Sequence, residues 1–92
     1  MEYRCFGSDC VIRIQKGEEI LAALRQVCTQ ENIVLASVNG IGAVNDVTLG
    51  VFNSKKFVYE STRYTGDMEI VSCMGNVTQK DGEVYLHLHM AV

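Results

Sequence analysis

The feature that most constrains the fold is a strict two-residue alternation at residues 84–92, Val-Tyr-Leu-His-Leu-His-Met-Ala-Val. Successive side chains of a β-strand point to opposite faces of its sheet. One face of this segment would carry apolar side chains, namely Leu86, Leu88, Met90 and Val92. The other face would carry Tyr85, His87, His89 and Ala91. The segment therefore predicts a strand with two distinct faces.

His87 and His89, the only histidines of the chain, would stand side by side on the second face. Two imidazoles at positions i and i+2 can converge on one metal ion, because imidazole is the commonest protein ligand for zinc and similar metals. Zinc takes four ligands, so further donors would have to come from Glu83, Cys73 or another subunit. The alternative is that both histidines are hydrogen-bonded on a polar face or at an interface.

A helix is predicted over residues 18–30. Its apolar side chains recur at spacings that place them on one helical face: Ile20, Leu21, Leu24, Val27 and Cys28. The β-branched segment 10–15 and the apolar segment 33–38 flank this helix and predict strands. We expect a β-α-β unit with parallel neighbouring strands, the second of them buried on both faces.

The rest of the chain is rich in strand and turn patterns. Strands are predicted over residues 46–52, 56–64, 68–77 and 84–92. The turns between them are predicted at residues 53–55, 65–67 and 80–82. The last two strands should form an antiparallel hairpin.

Two glycines, Gly40 and Gly42, predict a tight connection at residues 39–44. The G-x-G-x-x-G fingerprint of dinucleotide-binding folds is incomplete here, since Asn45 occupies the place of the third glycine and a strand follows. The alternative is a loop that lines a ligand pocket together with Arg63, whose guanidinium could meet an anion.

The composition is that of one folded domain: 92 residues, 48% apolar and 21% charged. A net charge of −3 argues against broad electrostatic attraction to nucleic acid or to anionic membranes. No signal peptide or membrane span is predicted, so we expect a cytoplasmic protein. Cys28 and Cys73 are interpreted as small buried hydrophobes, whereas pairing of Cys5 with Cys10 stays open.

Three segments, with the β-α-β start, resemble the plant and prokaryote conserved (PPC) domain. They are Gly40-Ile-Gly-Ala-Val-Asn-Asp-Val-Thr-Leu, Tyr64-Thr-Gly-Asp-Met-Glu-Ile-Val-Ser and Leu86-His-Leu-His-Met-Ala-Val. The resemblance covers almost the whole chain and implies an α+β fold with a bent, mostly antiparallel sheet, one main helix and a homotrimeric assembly. In plants the domain follows AT-hooks in nuclear DNA-binding proteins, and prokaryotic members are labelled predicted DNA-binding proteins.

The chain departs from that family in two respects. It contains no AT-hook core of Arg-Gly-Arg-Pro type and no proline at all. Many prokaryotic members continue past the His-x-His strand to a third histidine that completes a three-histidine metal site. His87 and His89 match the first two, and the third would lie beyond Val92. The resemblance thus implies a domain without its final strands and a metal site that is incomplete in this chain.

Two functional hypotheses follow. The first is a small PPC-like binding module that forms a homo-oligomer, a trimer by the resemblance, with a DNA-associated or regulatory role. The second is a metal-dependent enzyme or small-ligand-binding protein in which His87 and His89 hold a divalent ion such as zinc. A pocket near Gly40, Gly42, Asn45 and Arg63 would then hold the ligand.

Overall fold

The computed structural model describes all 92 residues, which form one helix and five strands. In chain order these are β1 (Glu2–Phe6), β2 (Asp9–Arg13), α1 (Ile20–Gln30), β3 (Ala36–Asn53), β4 (Val58–Lys80) and β5 (Glu83–Ala91). β1 and β2 form a two-stranded sheet, and the other three form a second sheet in the order β3-β4-β5. Both sheets are antiparallel. The predicted α+β class with one main helix and mostly antiparallel strands is confirmed.

The chain divides into two compact units. The first comprises Met1–Ser37 and Asn76–His87, and the second comprises Val38–Gly75 and Leu88–Val92. Six apolar side chains are buried, and five of them belong to the first unit: Ala23, Leu24, Val27, Cys28 and Val77. Cys73 is the buried side chain of the second unit. The hydrophobic core of this chain is therefore concentrated around α1.

Helix α1 forms where the apolar spacing predicts it, with its first residue at Ile20. The Glu19 carboxylate caps it by accepting a hydrogen bond from the backbone N–H of Ala22, which would otherwise lack a partner. After its last turn, Asn32 adopts a positive φ of 52°, and the Ile33 N–H donates to the Cys28 carbonyl over 2.9 Å. This is the hydrogen-bonded reversal that commonly ends helices.

β1 and β2 form a hairpin that the sequence patterns do not predict in full. Its register places Cys5 directly opposite Cys10, and a disulfide bond joins them with an S–S distance of 2.02 Å. Gly7, with a φ of 58°, lies in the turn between the strands. The question of Cys5–Cys10 pairing, which the sequence leaves open, is thereby settled in favour of a cross-strand disulfide.

The prediction that residues 33–38 form a doubly buried strand parallel to the first is wrong. β3 begins only at Ala36, and the side chains of Val34 and Leu35 are 63% and 76% exposed. β2 and β3 also belong to different sheets. β2 takes the sequence-adjacent β1 as its partner, because a short turn closes that ladder at a lower entropic cost than a crossover.

Two predicted turns, at residues 39–44 and 65–67, instead lie inside the long strands β3 and β4. Gly42 and Gly66 have φ values of 145° and 116°, which side chains other than glycine rarely tolerate. These glycines interrupt the regular extended backbone without reversing the chain. The other two predicted turns are confirmed, since residues 54–57 join β3 to β4 and residues 81–82 join β4 to β5.

The turn before β5 explains the predicted final hairpin. Asp81 and Gly82 both have positive φ, 53° and 79°, as the tight type I′ hairpin turn requires. Asp-Gly is a favoured pair for that turn. Nowhere does the chain form a helix that is long and apolar enough to cross a membrane.

Candidate functional site

β5 carries the two histidines on the face that the alternation predicts. Leu86, Leu88 and Met90 are half-buried, and the intervening His87 and His89 are exposed. The alternation of burial along the strand follows from its pleat, which turns successive side chains to opposite faces. The predicted assignment of these residues to two faces of one strand is therefore confirmed.

The chain does not by itself provide a complete metal centre around these histidines. No three of its histidine, cysteine, aspartate and glutamate side chains lie close enough together to hold a metal ion. Cys73, one of the candidate additional donors, is a buried thiol whose pKa is raised by burial, which disfavours the thiolate that binds metals. A zinc ion needs three or four protein ligands, so the two imidazoles alone do not fit such a site.

Gly40 and Gly42, which the alternative interpretation assigns to the lining of a ligand pocket, lie within β3. A Cβ atom built on Gly40 would lie 3.9 Å from the Cβ of Cys73, an ordinary van der Waals distance. A Cβ on Gly42 would meet the Cδ1 of Ile70 at 4.0 Å, but its φ of 145° disfavours any side chain. Gly42 is therefore needed for backbone conformation, and neither position is closely packed.

Arg63 pairs with Asp46 on the neighbouring strand. Its Nε donates to Oδ1 over 2.8 Å and its Nη2 donates to Oδ2 over 2.6 Å, the bidentate geometry that a guanidinium fork favours. The hydrogen bonds from Arg63 lower the pKa of Asp46, and the same bonds raise the pKa of Arg63. An anionic ligand at Arg63 would have to compete with the Asp46 carboxylate. Asn45, the other polar residue assigned to the predicted pocket, directly precedes Asp46 in the sequence.

A separate cavity of about 410 Å³ lies in the first unit, beside the end of α1. Its walls include Arg25, Cys28 and Val84. The Arg25 Nη1 donates a hydrogen bond to the Val84 carbonyl oxygen over 2.8 Å, which fixes the guanidinium against β5. Burial raises the pKa of the Cys28 thiol. The cavity wall thus carries the hydrogen-bonded Arg25 guanidinium and the neutral Cys28 thiol. It contains no nucleophile hydrogen-bonded to a base, the arrangement that nucleophilic catalysis requires.

The most conspicuous surface feature is an aromatic cluster at the end of the β3–β4 hairpin, which the sequence patterns do not single out. Phe52 lies 6.3 Å from Phe57 and 5.4 Å from Tyr59, measured between ring centroids. The side chains remain 47%, 78% and 69% exposed in the order Phe52, Phe57, Tyr59. Exposed aromatic clusters of this kind mark interaction surfaces more often than isolated apolar residues do. The adjacent Lys55-Lys56 pair was the available sequence signal.

Comparisons with solved structures place this geometry among known proteins. A "putative DNA binding protein" from Bacteroides thetaiotaomicron matches with a TM-score of 0.92 and 36% identity, over 97% of this chain and 62% of that one. A plant- and prokaryote-conserved (PPC) protein from Pyrococcus horikoshii matches with a TM-score of 0.82 and 37% identity, over 86% of this chain and 55% of that one.

A third solved structure is that of a metal-containing protein from Archaeoglobus fulgidus. It matches with a TM-score of 0.83 and 26% identity, over 86% of this chain and 56% of that one. The chain therefore spans less than two thirds of the length of each of these three proteins. No curated protein matches it. The model of the Plants and Prokaryotes Conserved (PCC) domain matches residues 1–92, and this chain belongs to that family.

Proposed function

We propose that this chain is an oligomeric PCC-domain module with a DNA-associated or regulatory role, and that the oligomer is a homotrimer. The observation that carries the proposal is the match to the Bacteroides protein named for DNA binding, at 36% identity over 97% of this chain. The net charge of −3 disfavours a broad electrostatic footprint on DNA. The contact with DNA would therefore be local.

The exposed apolar side chains of the second unit support association with further copies. Ile41 is 93% exposed, and Val51 and Val71 are each 74% exposed. Burying an apolar side chain of this size contributes about 1.5–3 kcal/mol. Association would remove these side chains from water, and a chain of about 90 residues gains much of its stability from such burial because its own core is small.

The test combines oligomeric mass with DNA binding. Light scattering behind size-exclusion chromatography should give three times the chain mass, and fluorescence anisotropy should detect DNA binding at low salt, where phosphate contacts are strongest. Ile41→Asp should lower the mass, whereas the matched change Val11→Asp, at a 66% exposed position in β2, should not. A monomer at high concentration that binds no DNA at low salt would overturn the proposal.

A second candidate function is metal or small-ligand binding, including metal-dependent catalysis, through the His-x-His strand. It is favoured by the metal-containing Archaeoglobus relative and by the shared exposed face of His87 and His89. Because residues 1–92 contribute two imidazoles, a donor from outside these residues would have to complete the site.

Elemental mass spectrometry on protein purified without chelator tests this second candidate. One metal ion per chain, lost in His87→Ala and retained in the matched control Gln79→Ala, is the expected result. Protein that contains no metal and takes up none on dialysis against zinc would rule out a metal site at these histidines.

A further inference from the structure

The β3–β4 tip, defined as residues 52–60, groups three aromatic side chains, with the Phe57 and Tyr59 rings each in contact with the Phe52 ring. The Phe52 and Phe57 rings meet at an interplanar angle of 68°, and the Phe52 and Tyr59 rings meet at 56°. The first contact is edge-to-face and the second is tilted, and aromatic pairs favour such inclined arrangements over a face-to-face sandwich. Phe52 is the least exposed of the three, so it supports the two outer rings and leaves much of their surface open to solvent.

The backbone at Phe57 is held in a conformation that few bulky residues adopt. Its φ is 56°, in the left-handed region, which is unfavourable for a bulky side chain such as that of phenylalanine. The Phe57 N–H donates to the Asn53 carbonyl over 2.7 Å. Such a backbone conformation costs free energy and persists only where surrounding contacts impose it. Residues in such conformations cluster at binding sites.

Asn53 organises the whole tip. Its side-chain Oδ1 accepts hydrogen bonds from the backbone N–H groups of Lys55 and Lys56, both over 3.0 Å. Its Nδ2 donates to the Glu60 Oε1 over 3.1 Å. The tip is thus preorganised: one half-buried amide fixes the turn that carries two lysines and projects the Phe57 ring.

The charges at the tip are cationic in balance. Lys55 and Lys56 oppose a single carboxylate, that of Glu60, whose Oε1 lies 3.9 Å from the Lys56 Nζ. Both members of this pair are exposed, so water screens their attraction and the lysine can exchange it for another anion. Lysines interleaved with open aromatic rings match a ligand in which anions alternate with flat apolar groups.

From these contacts we infer that the β3–β4 tip binds single-stranded nucleic acid, with bases stacked on Phe57 and Tyr59 and phosphates paired with Lys55 and Lys56. The inference rests on the proposed DNA-associated function and names its contact surface. Stacking on aromatic side chains is tolerant of base identity and needs unpaired bases. A local site of this kind is compatible with the acidic balance of the whole chain, because it depends on ring contacts as well as on charge.

A lipid surface matches the tip less well. Insertion of Phe57 into a membrane interface would bring the Glu60 carboxylate and the polar Asn53-Ser54 turn toward the bilayer, and anionic lipids repel a carboxylate. Single-stranded nucleic acid places no apolar medium around those groups. Vesicle binding is therefore the competing outcome that the experiment must detect.

Fluorescence anisotropy measures binding to a labelled oligothymidylate and to a labelled duplex of the same length, both at low salt. Sedimentation with anionic phosphatidylserine vesicles at the same salt measures binding to lipid. Phe57→Gly removes the ring and suits the positive φ, so it deletes the proposed contact without straining the turn. Affinity for the oligothymidylate should fall about tenfold or more. Phe57→Trp, which keeps a stacking surface, should retain affinity, and Phe6→Ala, at a 58% exposed phenylalanine in β1, is the matched control.

The charges give an independent readout. Glu60→Gln keeps an acceptor for Asn53 and removes the negative charge, so oligothymidylate affinity should rise. Replacing both Lys55 and Lys56 by Ala should make the negative slope of log K against log salt shallower by roughly 1 to 2. A partner recognised by apolar contact alone would leave both quantities unchanged, and that outcome would overturn the inference.

The remaining outcomes separate this inference from the proposed function. Nucleic-acid binding that is unchanged in Phe57→Gly would overturn the tip as the contact and leave the DNA-associated role standing. Absence of binding to either oligonucleotide at the lowest salt would overturn both the tip as the contact and the DNA-associated role. Tip-dependent binding to vesicles, with no binding to oligothymidylate, would assign the tip to a lipid surface instead.

Discussion

Val27 is the residue whose truncation tests the core most sharply. It lies on the inner face of α1 and is 0% exposed. Val27→Ala removes two methyl groups, which lose about 1.6 kcal/mol of burial at about 0.8 kcal/mol each. A residual void on the order of 40 Å³ would add about 1 kcal/mol. The expected loss in the free energy of unfolding is therefore about 2–3 kcal/mol.

Val34 offers a matched control, because Val34→Ala is the same chemical change at a side chain that is 63% exposed. Exposed substitutions of this kind usually change the free energy of unfolding by no more than about 0.5 kcal/mol. Urea unfolding followed by circular dichroism compares the two variants. Protein concentration must be equal throughout, since association of subunits shifts the midpoint.

With an m-value near 1 kcal/mol per molar urea, as small domains show, Val27→Ala should lower the midpoint by about 2–3 M. Val34→Ala should leave it nearly unchanged. Equal losses in the two variants would refute the assignment of the core to the inner face of α1, since burial would then not distinguish the two positions.

Three further perturbations have defined outcomes. Burial raises the pKa of the Cys28 and Cys73 thiols, so iodoacetamide should label neither before denaturation and both after it, by intact mass; rapid labelling of the native chain would contradict their burial. Gly42→Ala should lower the free energy of unfolding by about 1–3 kcal/mol because of its positive φ, whereas Gly40→Ala, in ordinary contact, should cost less; equal costs would argue against backbone strain. The hydrogen bonds from Arg63 lower the folded-state pKa of Asp46. The contribution of this pair to the free energy of unfolding is therefore present above the ordinary aspartate pKa of about 3.9 and is lost as pH falls through the folded value. The stability of Asp46→Asn should lack this acid-dependent loss, and an acid profile equal to that of the unmodified chain would contradict the role of the pair.

Local periodicity predicted the elements that depend on near neighbours. The spacing from Ile20 to Cys28 indicated α1, and the alternation around His87 and His89 indicated β5 with its faces. Both signals record which side chains share a face, a property of a few consecutive turns or pleats. The sequence does not predict β1, because an alternation over only five residues, in which Tyr3 and Cys5 are the half-buried positions, is too short to be distinguished from chance.

The turns predicted around Gly42 and Gly66 are wrong for a physical reason. Gly42 and Gly66 do adopt positive φ, as turn glycines do, but a positive φ is equally compatible with an interruption inside a paired strand. Only the hydrogen bonding of β3 to β4 distinguishes the two, and that pairing is not local. The same limit applies to Arg63, whose partner Asp46 lies 17 residues away and is brought near by strand register.

The surface features needed the three-dimensional structure for a further reason. Phe52, Phe57 and Tyr59 are ordinary strand and turn residues by type, and nothing in their spacing indicates that they would be exposed together. Their exposure depends on the Asn53 hydrogen bonds and on the left-handed backbone of Phe57. Such a conformation in a bulky residue is set by the surrounding contacts rather than by its own preference.

Native mass spectrometry of the untagged chain, alone and mixed with an oligothymidylate at low ionic strength, tests whether the chain forms a trimer that binds nucleic acid. It reports the number of subunits and the bound nucleic acid in the same spectrum. We expect a species of three times the chain mass of 10.2 kDa, about 31 kDa, that gains the mass of the oligonucleotide. A 10.2 kDa monomer that gains none would contradict it.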